Sequence, residues 1–104
     1  MTNTNAVLDI IEAAREKGKI RKGVNEATKA VERGIAKLIV VADDVDPPEI
    51  VMHLQPLCDE KKIPLVRVSS KSELGRAAGI EVSTAAVAVL DAGEGKKKLG
   101  DVLK

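Results

Sequence analysis

Two short apolar runs constrain the fold of this chain more than any other feature of its sequence. Residues 38–41 read Leu-Ile-Val-Val, and residues 84–90 are built almost entirely from Ala, Val and Leu. Each run is too short for a typical helix and has no polar face, which is typical of strands buried on both faces of a sheet. Helical periodicity surrounds these runs and a third apolar segment, residues 65–68. The alternation predicts an α/β/α sandwich around a small mixed sheet, and 104 residues suffice for one domain.

The first predicted helix runs from a cap at Thr4 or Asn5 to about Lys17, because apolar residues recur there at helical spacing. A basic extended segment, residues 19–22, follows it and leads into a second helix. The stripe that the first helix should bury consists of Val7, Ile10, Ile11 and Ala14.

Two further helices are marked by their first residues. Asp46 is the predicted N-cap of a helix that runs to about Lys61, since the Pro-Pro-Glu after it suits a first turn better than a metal site. Pro56 lies inside this helix and should bend or interrupt it. Ser70 to Glu73 forms a capping box for a shorter helix, and residues 96–104 are predicted to form the last one. The core face of the longer helix is predicted to be Ile50, Leu54, Leu57 and Cys58.

The stretch from Lys22 to Gly34 is the most informative about function. Asn25 is the predicted N-cap of a helix of roughly two and a half turns. Gly34 is its predicted stop, and Gly23 permits a backbone geometry that a side chain would obstruct. The residues expected to point toward the body of the protein are Ala27, Ala30, Val31 and Gly34.

The outward face of the same helix carries mixed charges. Glu26, Lys29 and Arg33 share this face at helical spacing, beside the amide of Asn25 and the free backbone amides of the first turn. Donors and acceptors so combined can bind base edges as well as phosphates. Charges at these spacings are also common on solvated surfaces that bind nothing.

Composition excludes several classes of function. The net charge of +1 gives no bulk attraction for nucleic acid, and the absence of Phe, Tyr and Trp removes the stacking platforms of many single-strand binders. One His and one Cys cannot form a recognisable zinc set, and no catalytic constellation is evident. We therefore expect no cofactor, no metal and no enzymatic activity. The single Cys58 is expected to be buried, and without a signal peptide or membrane-length run the protein is expected to be cytoplasmic.

Several segments together resemble the ribosomal protein family called L-seven-Ae, in a combination that looks archaeal. The resemblance covers about residues 8–90. The segments that carry it are Lys22–Gly34, Ala42–Val51, His53–Leu54, Leu57–Cys58, Lys61–Pro64, Ser70–Gly75 and Ala77–Val82. Members of this family bind the RNA kink-turn, a bent duplex with tandem sheared G·A pairs and a short bulge.

The resemblance implies roles for the residues around the second helix. Gly23, Asn25, Glu26 and Lys29 would contact the G·A pairs. Asn25 and Lys29 would donate to guanine carbonyls, and Glu26 would accept from guanine N–H groups. The residues implied to hold the RNA backbone are Lys22, Arg33 and Lys71.

A second contact is implied for the loop at residues 80–82. Ile80, Glu81 and Val82 would cover the flipped-out bulge nucleotides, which aliphatic side chains can do without a stacking ring. Ile80 and Val82 are also compatible with a place in the core. Asp46 and Ile50 lie where family members approach the bulge.

The resemblance implies a non-enzymatic protein that stabilises the kinked form of its RNA. In the archaeal family this serves ribosomal RNA, box C/D and H/ACA guide RNAs, and RNase P RNA in tRNA processing. A Nop-domain scaffold protein and fibrillarin would be its neighbours in box C/D particles, and the free protein is expected to be a monomer. An engineered or divergent α/β/α scaffold, or a protein-interaction module, is the alternative. Such a scaffold has no reason to keep Asn25, Glu26 and Lys29 together.

Overall fold

The computed structural model describes residues 4–17, 19–45 and 49–91. Helices and strands alternate in the predicted order. The elements are α1 (Thr4–Lys17), β1 (Lys19–Lys22), α2 (Val24–Glu32), β2 (Leu38–Ala42), α3 (Glu49–Met52), α4 (Leu54–Lys61), β3 (Leu65–Val68), α5 (Lys71–Ala77) and β4 (Ala86–Asp91). The predicted helix at residues 96–104 lies outside the described residues, as does the predicted cap Asp46.

The four strands form one mixed sheet in the order β1-β4-β2-β3. β4 runs antiparallel to both of its neighbours, and β2 runs parallel to β3. The carboxyl ends of β1, β2 and β3 therefore lie at the same end of the sheet as the amino end of β4. We call this the loop end, and the segments there are residues 22–25, 43–45, 69–71 and 80–85.

Helices cover both faces of the sheet, as the α/β/α prediction requires. α1 and α5 pack together on one face, and α2 and α4 pack together on the other. The predicted α1 stripe is fully buried, and so is every residue of β2. The buried residues that α2 contributes are Ala27, Ala30 and Val31. The described core contains no aromatic ring, because the chain has no Phe, Tyr or Trp and its one His is exposed.

The long helix predicted after β2 is interrupted at His53, which separates α3 from α4. Pro56 is the cause. It has no N–H to donate to the carbonyl of Met52 four residues earlier, and its ring crowds that carbonyl. Met52 is accordingly the last residue of α3. Leu54 and Cys58 are buried as predicted, whereas Leu57 is only partly buried.

α2 ends just before a glycine, as predicted. α2 ends at Glu32, and Gly34 follows with φ 70°. The Gly34 amide donates to the carbonyl of Val31, and the Ile35 amide donates to the carbonyl of Ala30. This pair of bonds is the Schellman arrangement. Gly34 itself is exposed, so the prediction that it points inward is wrong.

α5 begins as its capping box predicts. The Ser70 hydroxyl accepts a hydrogen bond from the Glu73 amide at 3.3 Å. β4 begins at Ala86 and not at Thr84, because the Thr84 amide donates outside the sheet, to the carbonyl of Lys71. Within the described ranges, no helix is long and apolar enough to cross a membrane.

Candidate nucleic-acid interface

Gly23 joins β1 to α2 and determines where α2 begins. Its φ of 96° and ψ of 157° lie in a region that favours glycine. Its amide donates to the carbonyl of Ala86 at 2.8 Å, and its carbonyl accepts from the Ala27 amide at 2.9 Å. Gly23 is therefore the N-cap, and the prediction that Asn25 has this role is wrong. Asn25 instead occupies the second helical position, with an exposed side chain.

The first turn of α2 offers unsatisfied backbone donors. The amides of the first helical residues have no carbonyl partner inside a helix, and no side chain caps this one. They lie at the positive end of the helix dipole, which attracts anions and carbonyl oxygens. Gly23 fixes these donors to the loop end through its bond to β4.

Glu26 and Lys29 occupy the outward face of α2 together. Their side chains approach to 3.6 Å and are 48% and 58% exposed. An exposed pair of this kind contributes at most about 0.5 kcal/mol to stability, so both groups remain free to bind a ligand. Arg33 is also exposed, but it follows the last turn of α2, roughly 13 Å along the axis from its start. The structure brings Glu26 and Lys29 together with Gly23 and Asn25 at the start of α2. Arg33 lies apart from them.

A cleft of about 660 Å³ opens at the start of α2. Its volume lies in the range of ligand pockets and accommodates a nucleobase. It combines an ammonium, a carboxylate, an amide and an imidazole. The lining residues are Lys22, Gly23, Val24, Asn25, Glu26 and His53.

Sequence reasoning missed His53 as a member of this site. It comes from the turn between α3 and α4, and its Nε2 lies 2.9 Å from Oγ1 of Thr28 on α2. Pro56 was the one available signal in the sequence. It predicts a break in the helix near His53, but it does not predict that His53 contacts Thr28 of α2.

The loop at residues 80–83 is the second exposed feature of the loop end. Val82 is 70% exposed, which excludes the core position left open for it, and Ile80 is half-buried. The loop is seated closely on α5, because a Cβ at Gly75 would overlap the carbonyl oxygen of Val82. The Ile80 amide also donates to the carbonyl of Gly75 at 3.0 Å. Glu81 is exposed, as its predicted contact requires.

A second cleft, of about 440 Å³, lies between this loop and α5. Ser72 and Arg76 line it from α5, opposite residues 80–83. Arg76 was not among the predicted site residues. Its position one turn after Ser72 was a usable signal, since residues at this spacing share a helical face.

Lys71 is held at the loop end by its backbone. Its amide donates to the carboxylate of Asp44 at 2.8 Å, and its carbonyl accepts from the Thr84 amide at 3.2 Å. Asp44 thus gives the first turn of α5 a second capping contact beside that of Ser70, and sequence reasoning did not predict it. The described ranges contain no group of three or more potential metal ligands.

Two other predicted residues are described in part or not at all. Asp46 lies outside the described residues, and so does the side chain of Ile50, whose backbone belongs to α3.

Cys58 is a free, buried cysteine on α4. Burial, and to a smaller extent the charge of Asp59, raises the pKa of the Cys58 thiol to about 11. This thiol is therefore a structural group.

Two comparisons with known proteins bear on this arrangement. The profile of the ribosomal protein L7Ae/L30e/S12e/Gadd45 family matches residues 5–99. Among solved structures, the chain is similar to a Giardia lamblia 15.5kD RNA binding protein, with a TM-score of 0.84 and 34% sequence identity. That similarity covers 95% of this chain and 86% of the Giardia chain.

Proposed function

This chain belongs to the ribosomal protein L7Ae/L30e/S12e/Gadd45 family, and from that premise we propose that it binds RNA and recognises the kink-turn. Its similarity to an RNA-binding protein over 95% of its length supports RNA as the ligand. The observation that carries the proposal is the cleft at the start of α2, where Asn25 and Glu26 lie beside the uncapped amides that follow Gly23.

The chemistry of this cleft suits tandem sheared G·A pairs. Such pairs expose guanine carbonyl and N7 acceptors together with N–H donors, so a binding site needs groups of both kinds. The Asn25 amide and the Lys29 ammonium donate to guanine acceptors, and the Glu26 carboxylate accepts from guanine N–H groups. Gly23 has open space where a Cβ would lie, which lets the RNA approach the backbone closely.

The surrounding basic residues fit contacts to the RNA backbone. Lys22 is exposed at the end of β1, and Lys71 begins α5 at the same end of the sheet. Arg33 contacts the RNA further along the stem, since it lies at the far end of α2. Contacts of this kind set the register of the protein on the duplex and carry no sequence information.

The two exposed features of the loop end explain how the protein favours a bent RNA. The start of α2 and residues 80–83 are both attached to the same end of one rigid sheet, so they present their contacts at a fixed separation. The first binds the G·A pairs, and the aliphatic side chains of Ile80 and Val82 cover the bulge nucleotides. Only the kinked RNA makes both contacts at once, so binding shifts the population toward it.

The role in the cell follows from the ligand. Kink-turns in ribosomal RNA, in box C/D and H/ACA guide RNAs and in RNase P RNA are the proposed targets, in the cytoplasm of an archaeal cell. In box C/D particles, the bent RNA and this protein together form the surface on which a Nop-domain scaffold and fibrillarin assemble. The protein acts as a binding platform without catalysis of its own.

A gel-shift titration tests the proposal. One RNA carries an intact kink-turn, and the other has the tandem G·A pairs replaced by Watson–Crick pairs in the same stem. The proposal requires tight binding to the first and weak, salt-sensitive binding to the second. Equal binding to both RNAs, or binding to neither, would favour a scaffold that has lost the RNA role.

A further inference from the structure

His53 provides the only aromatic ring in the described part of the chain, and the sequence has no Phe, Tyr or Trp and no second His. The ring is exposed, and it lines the cleft at the start of α2 opposite Asn25 and Glu26. Proteins that bind unpaired or distorted RNA commonly stack a base on an aromatic or histidine ring. The one ring of this protein thus lies beside the residues proposed to contact the G·A pairs.

The orientation of the ring is fixed by Thr28. The Thr28 hydroxyl donates its only proton to the carbonyl of Val24 at 2.7 Å. It can therefore only accept from His53, whose Nε2 lies 2.9 Å away and must carry a hydrogen. The ring edge that bears Nε2 faces α2, while Nδ1 has no hydrogen-bond partner among the described residues.

The position of His53 in the chain also holds the ring in place. His53 is the N-cap of α4, directly after the break that Pro56 imposes, and its carbonyl accepts from the Leu57 amide at 3.4 Å. An exposed side chain normally loses rotamer freedom when it binds a ligand. A ring already fixed by a hydrogen bond loses less, so this arrangement favours binding.

We propose that His53 is an RNA-contacting residue whose ring packs against a nucleobase next to the G·A pairs held by Asn25 and Glu26. This inference rests on the proposed function, because it assigns a further contact in the same cleft. It adds a stacking surface to a protein whose composition otherwise excludes one. The ring face makes the contact, and the hydrogen bond to Thr28 positions it.

Three substitutions separate the ring from its hydrogen bond. His53→Phe keeps an aromatic face but cannot donate to Thr28. His53→Gln keeps an N–H donor for Thr28 but has no ring, and His53→Ala has neither. Because the side chain is exposed, all three variants are expected to fold, which thermal melts monitored by circular dichroism verify.

The readout is the Kd for a kink-turn RNA, measured for each variant beside the wild-type protein. Loss of one stacked base corresponds to a weakening of about tenfold. We expect this loss for His53→Gln and His53→Ala, and a Kd within about threefold of wild type for His53→Phe. Wild-type affinity in the Gln variant, or a Phe variant as weak as the Ala variant, would overturn the stacking role.

The same experiment separates this inference from the function on which it rests. Wild-type protein that does not distinguish the kink-turn from its Watson–Crick control overturns both. If wild type binds the kink-turn selectively and all three variants bind it as tightly as wild type does, the role of His53 alone is overturned. The proposed function then stays in place.

Discussion

The backbone amide of Lys71 donates a hydrogen bond to the carboxylate of Asp44 at 2.8 Å, across 27 residues of sequence. The bond ties the segment after β2 to the first turn of α5. The carbonyl of Lys71 in turn accepts from the Thr84 amide, just before β4. Three loop-end segments are thereby joined into one unit, and residues 80–83 project from it.

Asp44→Ala should therefore weaken both the fold and RNA binding. Removing the carboxylate leaves the Lys71 amide without its partner, which costs about 1 kcal/mol in the free energy of unfolding. Asp44→Asn is the matched control, because its amide oxygen can still accept the bond. Urea unfolding and RNA titration of both variants provide the measurement. An alanine variant as stable as wild type would show that the cap contributes nothing.

Gly75→Ala should displace the loop that carries Val82. The added Cβ overlaps the carbonyl oxygen of Val82, which belongs to the backbone and can move only with its loop. We expect a loss of about 1–3 kcal/mol in stability and weaker binding to kink-turn RNA.

Gly34→Ala is the control for Gly75→Ala. Its Cβ enters open space, and its only cost is about 1 kcal/mol from the positive φ at the end of α2. Both variants should lose stability, but only Gly75→Ala should lose affinity for RNA. An equal effect of the two on RNA binding would contradict a specific role for the loop.

Glu26→Ala should reduce affinity for kink-turn RNA by about 1–3 kcal/mol, because the guanine N–H groups lose their acceptor. The ion pair with Lys29 is exposed, so the free energy of unfolding should change by at most about 0.5 kcal/mol. Glu32→Ala removes an exposed carboxylate at the other end of α2 and serves as the control. Isothermal titration calorimetry gives both affinities. Bulk charge alone would tighten binding in both variants, because each loses a negative charge, so unchanged or tighter binding by Glu26→Ala would contradict guanine recognition.

The Cys58 thiol should resist alkylation until the protein unfolds. Its pKa is raised from 9.0 to about 11, chiefly by burial, so little thiolate is present in the folded state at pH 8. The unfolded chain loses this proton at lower pH than the folded one, so the free energy of unfolding should fall as the pH rises from 9.0 toward about 11. Iodoacetamide labelling across a urea series tests the resistance to alkylation. The fall in the free energy of unfolding between pH 9.0 and about 11 should be absent from Cys58→Ala. Rapid labelling without urea would contradict a buried thiol.

Local patterns were enough to predict most elements of the fold. The apolar stripe of α1 and the continuous aliphatic run of β2 each specify a burial pattern that only one kind of element satisfies. The Ser70 capping box likewise depends on residues three apart. The N-cap of α2 was misassigned because Asn is a common cap. Gly23 replaces it through a positive φ that the sequence does not display.

The site was predictable only where its residues are close in the sequence. The exposed positions of Asn25, Glu26 and Lys29 follow from one helix. Strand order brings the start of α2 and residues 80–83 to the same end of the sheet, and pairing between strands is not encoded in local periodicity. His53 meets Thr28 from 25 residues away, and no spacing rule connects two positions so far apart.

The most direct test of the account is fluorescence energy transfer within the RNA. Donor and acceptor dyes are placed on the two arms of a kink-turn RNA, and the protein is titrated in. We predict a saturable rise in transfer with the intact RNA and none with an RNA whose G·A pairs are Watson–Crick pairs. Binding without a rise in transfer, or an equal rise with both RNAs, would contradict the claim that this protein recognises and stabilises the kinked form.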